Sequence, residues 1–174
     1  MFLGNSYGFR PGKSPLKAIR RLLAECRKSQ YNYVLRADVD DFFDNIDHTI
    51  LQQRLIAVGI DGEIVRYIML CLEMGKMRQG SAKWNDSFLG VPQGAPLSPL
   101  LANLYLHSFD QFAVSRGAPY IRYADDFLYL CESEVIVQRG KDWVNIYPLC
   151  TECYARIQYI PDVLAKIPDK IIVI

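Results

Sequence analysis

Two adjacent acids, Asp125 and Asp126, interrupt an otherwise apolar run from Ile121 to Leu130. Carboxylates among apolar neighbours are costly to bury unless they are paired, and two that lie side by side repel each other. One of them is then expected to be protonated unless a cation neutralises both. The flanking residues have strand character, which predicts a hairpin with both acids at its turn. Such a turn could hold a hard cation such as Mg²⁺, although a simple solvated Asp-Asp turn has the same pattern.

A second acidic cluster strengthens the metal interpretation. The segment Asp38–Asp47 contains five aspartates and follows the apolar, strand-forming residues Tyr33–Leu35. Nucleotidyl or phosphoryl transfer by two metal ions about 3.5–4 Å apart requires carboxylates from different structural elements. Asp38 and Asp125 can supply them only if their two strands are neighbours in one sheet.

The elements that must position these acids follow from local patterns. A Pro- and Gly-rich loop leads from Gly90 into an apolar helix, with Ser98 as the predicted cap and Pro99 in the first turn. Apolar spacing and β-prone runs predict the remaining elements. The predicted helices are Ser14–Lys28, Asp47–Ile56, Asp61–Leu72 and Ser98–Arg116, and the predicted strands are Tyr31–Ala37, Trp84–Leu89, Tyr120–Ala124 and Phe127–Leu130.

Four segments, in this order along the chain, resemble the motifs of one enzyme family. Tyr7–Ser14 is similar to a fingers motif, Asp38–Asp47 to the first palm motif, Gly90–Leu106 to a Pro-Gln-Gly motif with its helix, and Tyr123–Asp126 to a Tyr-x-Asp-Asp turn. The family is the reverse transcriptases, of the group II intron-like prokaryotic kind. The motif around Gln93 also resembles that of CRISPR-associated reverse transcriptases.

The resemblance implies an α+β fold, in which a polymerase palm with an antiparallel sheet backed by helices is joined to part of the fingers. We expect partial fingers in residues 1–30 and the palm with its catalytic motifs in residues 31–134. Residues 135–174 resemble no palm element, because prolines interrupt any long helix there. They are left unassigned, as an incomplete palm or a joined segment. No helical thumb is expected in this chain, which predicts a fragment of a longer enzyme.

The resemblance also implies the chemistry. Asp38, Asp125 and Asp126 are the expected catalytic residues, and together with the backbone carbonyl of Val39 they are the expected ligands of two Mg²⁺ ions. Mn²⁺ is a possible substitute. One ion lowers the pKa of a primer 3′-hydroxyl, and the other neutralises the triphosphate and the leaving pyrophosphate.

Five further positions are expected to bind the incoming nucleotide or the template. Phe43 lies where the resembling enzymes hold an aromatic gate under the sugar, which favours deoxynucleotides by leaving no room for a 2′-hydroxyl; the alternative is a core aromatic. Gln93 and Gly94 are expected to border the nascent base pair, because glycine permits close backbone approach. Arg10 and Lys13 are the candidate phosphate contacts. Which of them meets the triphosphate and which the template stays open.

Other polar residues in these segments are expected to be structural. Asp40 and Asp41 should be solvated, since extra acid beside a triphosphate would be unfavourable. His48 and His107 should lie on helix surfaces rather than at the metal, because magnesium prefers oxygen ligands.

Composition limits the class of protein further. Apolar residues make up 51% of the chain, which excludes general disorder, and the formal net charge of +1 conceals a basic region that ends at Lys28. No apolar stretch is long enough to span a bilayer and no secretory signal opens the chain, which predicts a cytoplasmic protein without membrane contact. Cys150 and Cys153 have the spacing of half a zinc site, but no second pair follows, so reduced thiols are expected.

Three activities stay open from the sequence. The leading one is an RNA-directed DNA polymerase, with an RNA template, a DNA or RNA primer and dNTPs as partners, and with intron RNA or CRISPR adaptation proteins as further candidates. An RNA-dependent RNA polymerase also uses separated palm acids, but Phe43 argues against it. The third is a catalytically incompetent palm that binds nucleic acid or protein. The intact acids argue against that alternative, whereas the lack of a thumb favours it.

Overall fold

The computed structural model describes residues 2–28, 31, 33–39, 41–74, 76–77, 84–85, 89–117, 119–133, 135 and 155–160. These residues form two compact units. The sheet unit comprises the described residues of Phe2–Asp40, Phe109–Pro148 and Tyr154–Ile174, and the helical unit comprises those of Asp41–Ser108. Asp40 and the half zinc site predicted at Cys150 and Cys153 lie outside the described residues.

Helices alternate with short strands along the chain. In order, the elements are α1 (Pro15–Cys26), β1 (Tyr33–Val39), α2 (His48–Ala57), α3 (Gly62–Glu73), β2 (Lys76–Met77), β3 (Trp84–Asn85), α4 (Ser98–Ser115), β4 (Tyr120–Tyr123), β5 (Asp126–Cys131) and β6 (Ala155–Ile160). A single 3-10 turn, Phe42–Asp44, separates β1 from α2. The predicted helices are all present with ends shifted by one or two residues.

The sheet unit is built on four strands in the order β4–β5–β1–β6. Every neighbouring pair is antiparallel, and β1 lies between β5 and β6. In the register of β1 with β5, Tyr33 stands opposite Cys131 and Asp38 opposite Asp126. The two acid-bearing strands are therefore direct neighbours, which is the arrangement that the two-carboxylate argument requires.

Helix α1 covers one face of this sheet. It starts after Ser14, whose hydroxyl accepts a hydrogen bond from the Lys17 backbone N–H at 3.2 Å, as expected for a cap. Its buried Cys26 packs in one cluster with Val34 of β1 and Leu130 of β5. Burial of these apolar side chains fixes α1 against the sheet.

The end of α4 covers the opposite face. Side chains alternate between the two faces of a strand, so Phe127 points away from α1. The ring of Phe109 lies 5.1 Å from that of Phe127 and 6.0 Å from that of Tyr120, measured between centroids. All three side chains are buried. The antiparallel sheet backed by helices that the sequence predicts is thus confirmed.

The helical unit begins its two short helices with acidic caps. Asp47, the first residue of the predicted helix, accepts a hydrogen bond from the Ile50 N–H at 3.0 Å, and Asp61 accepts one from the Glu63 N–H at 2.9 Å. Gly59 follows α2 with φ of 80°, a left-handed conformation in which glycine is favoured after a helix.

Two features differ from the sequence analysis. Ser98 does not cap α4; it is the first helical residue, and its hydroxyl donates to the Pro92 carbonyl at 2.5 Å. Part of the unassigned tail forms β6, which pairs with β1 so that Val34 stands opposite Ile160. Within the described residues, no helix has the length and apolar character needed to cross a membrane.

Candidate active site

The structure brings Asp38, Asp125 and Asp126 together at one end of the sheet. Asp38 is the penultimate residue of β1 and stands opposite Asp126, the first residue of β5. Tyr123 pairs with Asp126, so Ala124 and Asp125 form a two-residue turn. Directly opposite residues in a sheet project from the same face, so the side chains of Asp38 and Asp126 are neighbours.

The pKa of the Asp125 carboxyl is raised at this end of the sheet. Burial raises its pKa above the usual value, and the charges of Asp38 and Asp126 raise it further, while its own backbone hydrogen bond and Arg122 act in the opposite direction. A carboxyl beside two others binds a proton more strongly, because protonation relieves the repulsion. A metal cation would relieve the same repulsion.

Arg36 engages one of the three acids. It lies on β1, two residues before Asp38, and therefore on the same face of the sheet. Its Nε donates to Asp126 Oδ1 at 3.0 Å, and its Nη2 donates to Asp126 Oδ2 at 2.9 Å. The hydrogen bond and charge of Asp126 raise the pKa of Arg36, to which the charge of Asp38 also contributes. Both oxygens of Asp126 thus face a guanidinium.

The donor set fits a divalent cation at two of the three acids. Across the part of the chain that the structure describes, no three His, Cys, Asp or Glu side chains are arranged to hold a metal ion together. Asp38 and Asp125 offer hard oxygen ligands whose mutual repulsion a cation relieves. The carbonyl of Val39 directly follows Asp38 in β1. Asp126 fits as a ligand only if its oxygens leave Arg36.

Arg122, Asp110 and Gly8 hold the turn, and none of them was predicted as a site residue. Ala124 has φ of 58°, which is uncommon for a residue with a Cβ. Its carbonyl accepts a hydrogen bond from Arg122 at 2.7 Å, and Arg122 pairs with Asp110 of α4. Gly8 approaches the turn so closely that a Cβ there would overlap the Ala124 nitrogen. The sequence does contain a signal for Arg122 and Asp110. Each is the single charged residue of an otherwise mostly apolar element, Arg122 in β4 and Asp110 in α4.

Arg10 and Lys13 bind back to their own segment. The Arg10 guanidinium donates to the backbone carbonyls of Leu3 and Ser6, the latter at 2.8 Å. Lys13 Nζ donates to the Gly4 carbonyl at 2.9 Å. Both cations therefore have backbone carbonyl partners within their own segment. Their contact with phosphate stays a prediction, and it requires these bonds to be exchanged.

The other predicted nucleotide-binding residues lie together in the helical unit. The Val91 N–H donates to the Phe43 carbonyl at 2.7 Å, which ties the Pro-Gln-Gly loop to the 3-10 turn. Gln93 Nε2 donates to the Asp44 carboxylate at 3.2 Å. Gly94 is exposed with φ of 87°. Phe43, Gln93 and Gly94 thus form one group in this unit, whereas the three acids belong to the sheet unit.

The prediction that His48 lies on a helix surface is wrong. His48 is buried, and its Nε2 lies 2.7 Å from the Gly90 carbonyl oxygen, so it joins the start of α2 to the Pro-Gln-Gly loop. His107 is half-buried. Asp41 is exposed, as predicted, and adopts φ of 47°, a left-handed conformation that aspartate tolerates better than most residues.

Comparison with known sequences identifies relatives for most of the chain. Residues 1–146 match the family described as "Reverse transcriptase (RNA-dependent DNA polymerase)". Protein YkfC of Escherichia coli strain K12 is 32% identical over 114 residues, which cover 64% of this chain and 29% of YkfC. The group II intron-encoded protein LtrA of Lactococcus lactis is 35% identical over 112 residues, which cover 63% of this chain and 18% of LtrA. The chain thus spans less than a third of the length of either relative.

A solved structure has the same fold. Telomerase from Candida tropicalis, in complex with a TWJ fragment of telomeric RNA, matches with a TM-score of 0.67 over 90% of this chain and 30% of that chain. The sequence identity is 13%, so this similarity concerns the fold alone. The family match covers most of the chain and includes all four motif segments. The chain therefore belongs to the reverse transcriptase (RNA-dependent DNA polymerase) family.

Proposed function

We propose that the protein is an RNA-directed DNA polymerase that adds deoxynucleotides to a primer 3′-hydroxyl by two-metal nucleotidyl transfer. The observation that carries this proposal is the placement of Asp38 and Asp125 at the ends of adjacent strands, where the charge of Asp38 raises the pKa of Asp125. Membership of the reverse transcriptase family supports the same activity.

Asp38 and Asp125 would hold Mg²⁺, or Mn²⁺ in its place, with the Val39 carbonyl as a further oxygen donor. Bound divalent ions supply neutralisation of the triphosphate charge and a lower pKa for the primer 3′-hydroxyl. The contribution of the chain is rigid placement of the acids. Pairing between β1 and β5 fixes Asp38, and the backbone contacts of the turn fix Asp125. Arg36 orients Asp126, the third acid of the cluster.

The incoming deoxynucleotide would meet Phe43 and the loop that carries Gln93 and Gly94. Phe43 is only half-buried, so part of its ring is open to a ligand. The hydrogen bond from Val91 to the Phe43 carbonyl keeps the ring and the loop in a fixed relation. A ring under the sugar would exclude a 2′-hydroxyl and select deoxynucleotides.

The remaining partners are an RNA template and a DNA or RNA primer. Arg10 and Lys13 would contact phosphates by exchanging their present carbonyl partners for stronger, charged acceptors. An intron RNA is the further partner that we propose first, because the relative LtrA is a group II intron-encoded protein. CRISPR adaptation proteins stay a candidate from the sequence alone.

Primer extension tests this function. The protein, expressed at its full natural length, is incubated with a labelled primer on an RNA template or on a DNA template of the same sequence. Either dNTPs or NTPs are supplied, with Mg²⁺ or Mn²⁺. We expect extension with dNTPs on the RNA template, and a product that resists alkali because it is DNA.

A matched pair of variants makes the test specific to the acids. Asp125→Asn should abolish extension, whereas Asp41→Asn should retain it, because Asp41 is an exposed acid in a conformation that asparagine also tolerates. Incorporation of NTPs in preference to dNTPs would favour an RNA-dependent RNA polymerase. Binding of primer-template without any extension would favour the incompetent binding module.

A further inference from the structure

Arg122 is a cation held inside the sheet unit. Its side chain and that of Asp110 are both 0% exposed, and they form an ion pair with 2.6 Å between Nη2 and Oδ2. Nε of Arg122 donates to Asp110 Oδ1 at 2.7 Å, and the Tyr120 hydroxyl donates to the same oxygen at 2.8 Å. The contact is therefore forked, and each oxygen of Asp110 has a donor.

The third nitrogen of the Arg122 guanidinium contacts the acidic turn. Nη1 of Arg122 donates to the Ala124 carbonyl at 2.7 Å. Ala124 directly precedes Asp125 and has φ of 58°, which a residue with a Cβ adopts only under constraint. That carbonyl belongs to the peptide group that joins Ala124 to Asp125. Arg122 thus holds the peptide from which the Asp125 side chain departs.

We propose that Arg122, oriented by Asp110, is a positioning residue that sets the place of the Asp125 carboxylate for metal binding and catalysis. This inference rests on the proposed function. A purely structural pair would behave differently, because a buried ion pair can often be replaced by apolar residues of similar volume without loss of stability. The contact with the Ala124 carbonyl has no apolar substitute. Lysine cannot replace it either, since an ammonium has no planar fork to serve Asp110 and the turn together.

The test is the double variant Arg122→Met/Asp110→Leu, made in the protein at its full natural length. It removes both charges at once, so neither is left buried without its partner. We expect a cooperative unfolding transition at a lowered Tm, because the buried Tyr120 hydroxyl and the Ala124 carbonyl lose their hydrogen-bond partners. The kcat of primer extension should fall about 100-fold, as expected for a misplacement of about 1 Å. KM for dNTPs should stay unchanged, and Mn²⁺ binding, measured from the EPR signal of the free ion without substrates, should weaken.

Two further variants separate positioning from a general loss of stability. Leu55→Ala truncates a buried residue of α2 in the helical unit, and it should lower Tm while leaving kcat and Mn²⁺ affinity unchanged well below Tm. Arg122→Lys keeps a cation beside Asp110 and is the deciding variant if the double variant does not fold. It should fold, and it should lose both kcat and Mn²⁺ affinity.

Wild-type kcat and Mn²⁺ affinity in the folded double variant, or in Arg122→Lys, would overturn the proposal. Failure of the proposed function can be told apart from this result. A wild-type protein that binds Mn²⁺ but extends no primer would refute polymerase activity, and the Mn²⁺ affinities of the variants would still decide the role of Arg122. A wild-type protein that binds no Mn²⁺ and extends no primer would overturn both.

Discussion

Replacing Gly8 with alanine should displace the acidic turn. A Cβ at this position would overlap the Ala124 backbone nitrogen and lie 3.0 Å from its Cα. These are backbone atoms, which cannot rotate away as the end of a side chain can. The segment around Gly8 cannot retreat freely, because the Tyr7 N–H donates to the Arg122 carbonyl at 2.8 Å and the Arg122 N–H donates to the Asn5 carbonyl at 2.9 Å.

The size of the effect follows from two opposing terms. Overpacking of a tight contact costs about 1–3 kcal/mol. Alanine also restricts the unfolded chain more than glycine does, and this stabilises the folded state by about 0.4–1 kcal/mol. The free energy of unfolding of Gly8→Ala should therefore fall by up to about 2.6 kcal/mol, with about 1.3 kcal/mol at the centre of this range. If the turn moves by about 1 Å, kcat should fall about 100-fold in addition.

Chemical denaturation and primer extension measure the two effects separately. Gly4→Ala is the matched control, since nothing lies within 4 Å of a Cβ at that position, and it should keep both stability and kcat. Gly12→Ala is a second control. Its φ of 71° makes alanine unfavourable but a Cβ there has open space, so it should lose stability and keep kcat. Wild-type stability and kcat in Gly8→Ala would refute the close-packing argument.

The remaining predictions concern the named site residues. Burial and the neighbouring acids raise the pKa of Asp125 in the folded protein, so wild-type stability falls as pH rises through that pKa. Asp125→Asn should then abolish DNA synthesis and raise the free energy of unfolding at neutral pH, with no gain at low pH; unfolding of this variant would indicate a structural role. Phe43→Ala should increase ribonucleotide incorporation in a competition with deoxynucleotides, and an unchanged ratio of the two would indicate that Phe43 is only a core residue. Because the ring is half-buried, its loss should lower the free energy of unfolding by less than the roughly 3–5 kcal/mol expected for a fully buried ring. Arg10→Ala should cost about 1.5–3 kcal/mol through its carbonyl contacts, and the exposed Lys13→Ala less. Both variants should bind primer-template more weakly, and their affinity should depend less on salt concentration. Wild-type affinity and wild-type salt dependence in both variants would show that neither side chain contacts phosphate.

Features set by neighbours in the sequence could be predicted well. The cap at Asp47 follows from a polar residue directly before an apolar helical pattern, and it is present. The hairpin follows from two β-prone runs with acids between them, but only Asp125 lies in the turn, because Asp126 pairs with Tyr123 as the first residue of β5. The pairing of β1 with β5 needed more than local pattern, because it joins residues about ninety positions apart, as Arg36 and Asp126 are.

Features that depend on contacts outside the local helix and strand patterns were missed. Ser98 has the sequence pattern of a helix cap, but its hydroxyl donates a hydrogen bond to the Pro92 carbonyl instead. His48 is buried because a loop carbonyl at Gly90 lies beside it, which no local pattern reveals. The alternating apolar and polar residues of Ala155–Ile160 are typical of a strand, but the local pattern does not reveal that β1 is the strand with which they pair. In each case the deciding contact comes from another element.

The charge balance of the acid cluster limits what the site can hold before substrate arrives. Asp38, Asp125 and Asp126 contribute three negative charges when ionised, and Arg36 neutralises one of them through its forked contact with Asp126. The charge of Arg122 lowers the pKa of Asp125, although Arg122 is itself paired with the buried Asp110. Among the four described side chains of the cluster, the three acids and Arg36, two negative charges remain, and a single divalent cation would compensate them. A second cation would need further negative charge, which the triphosphate of the incoming nucleotide supplies.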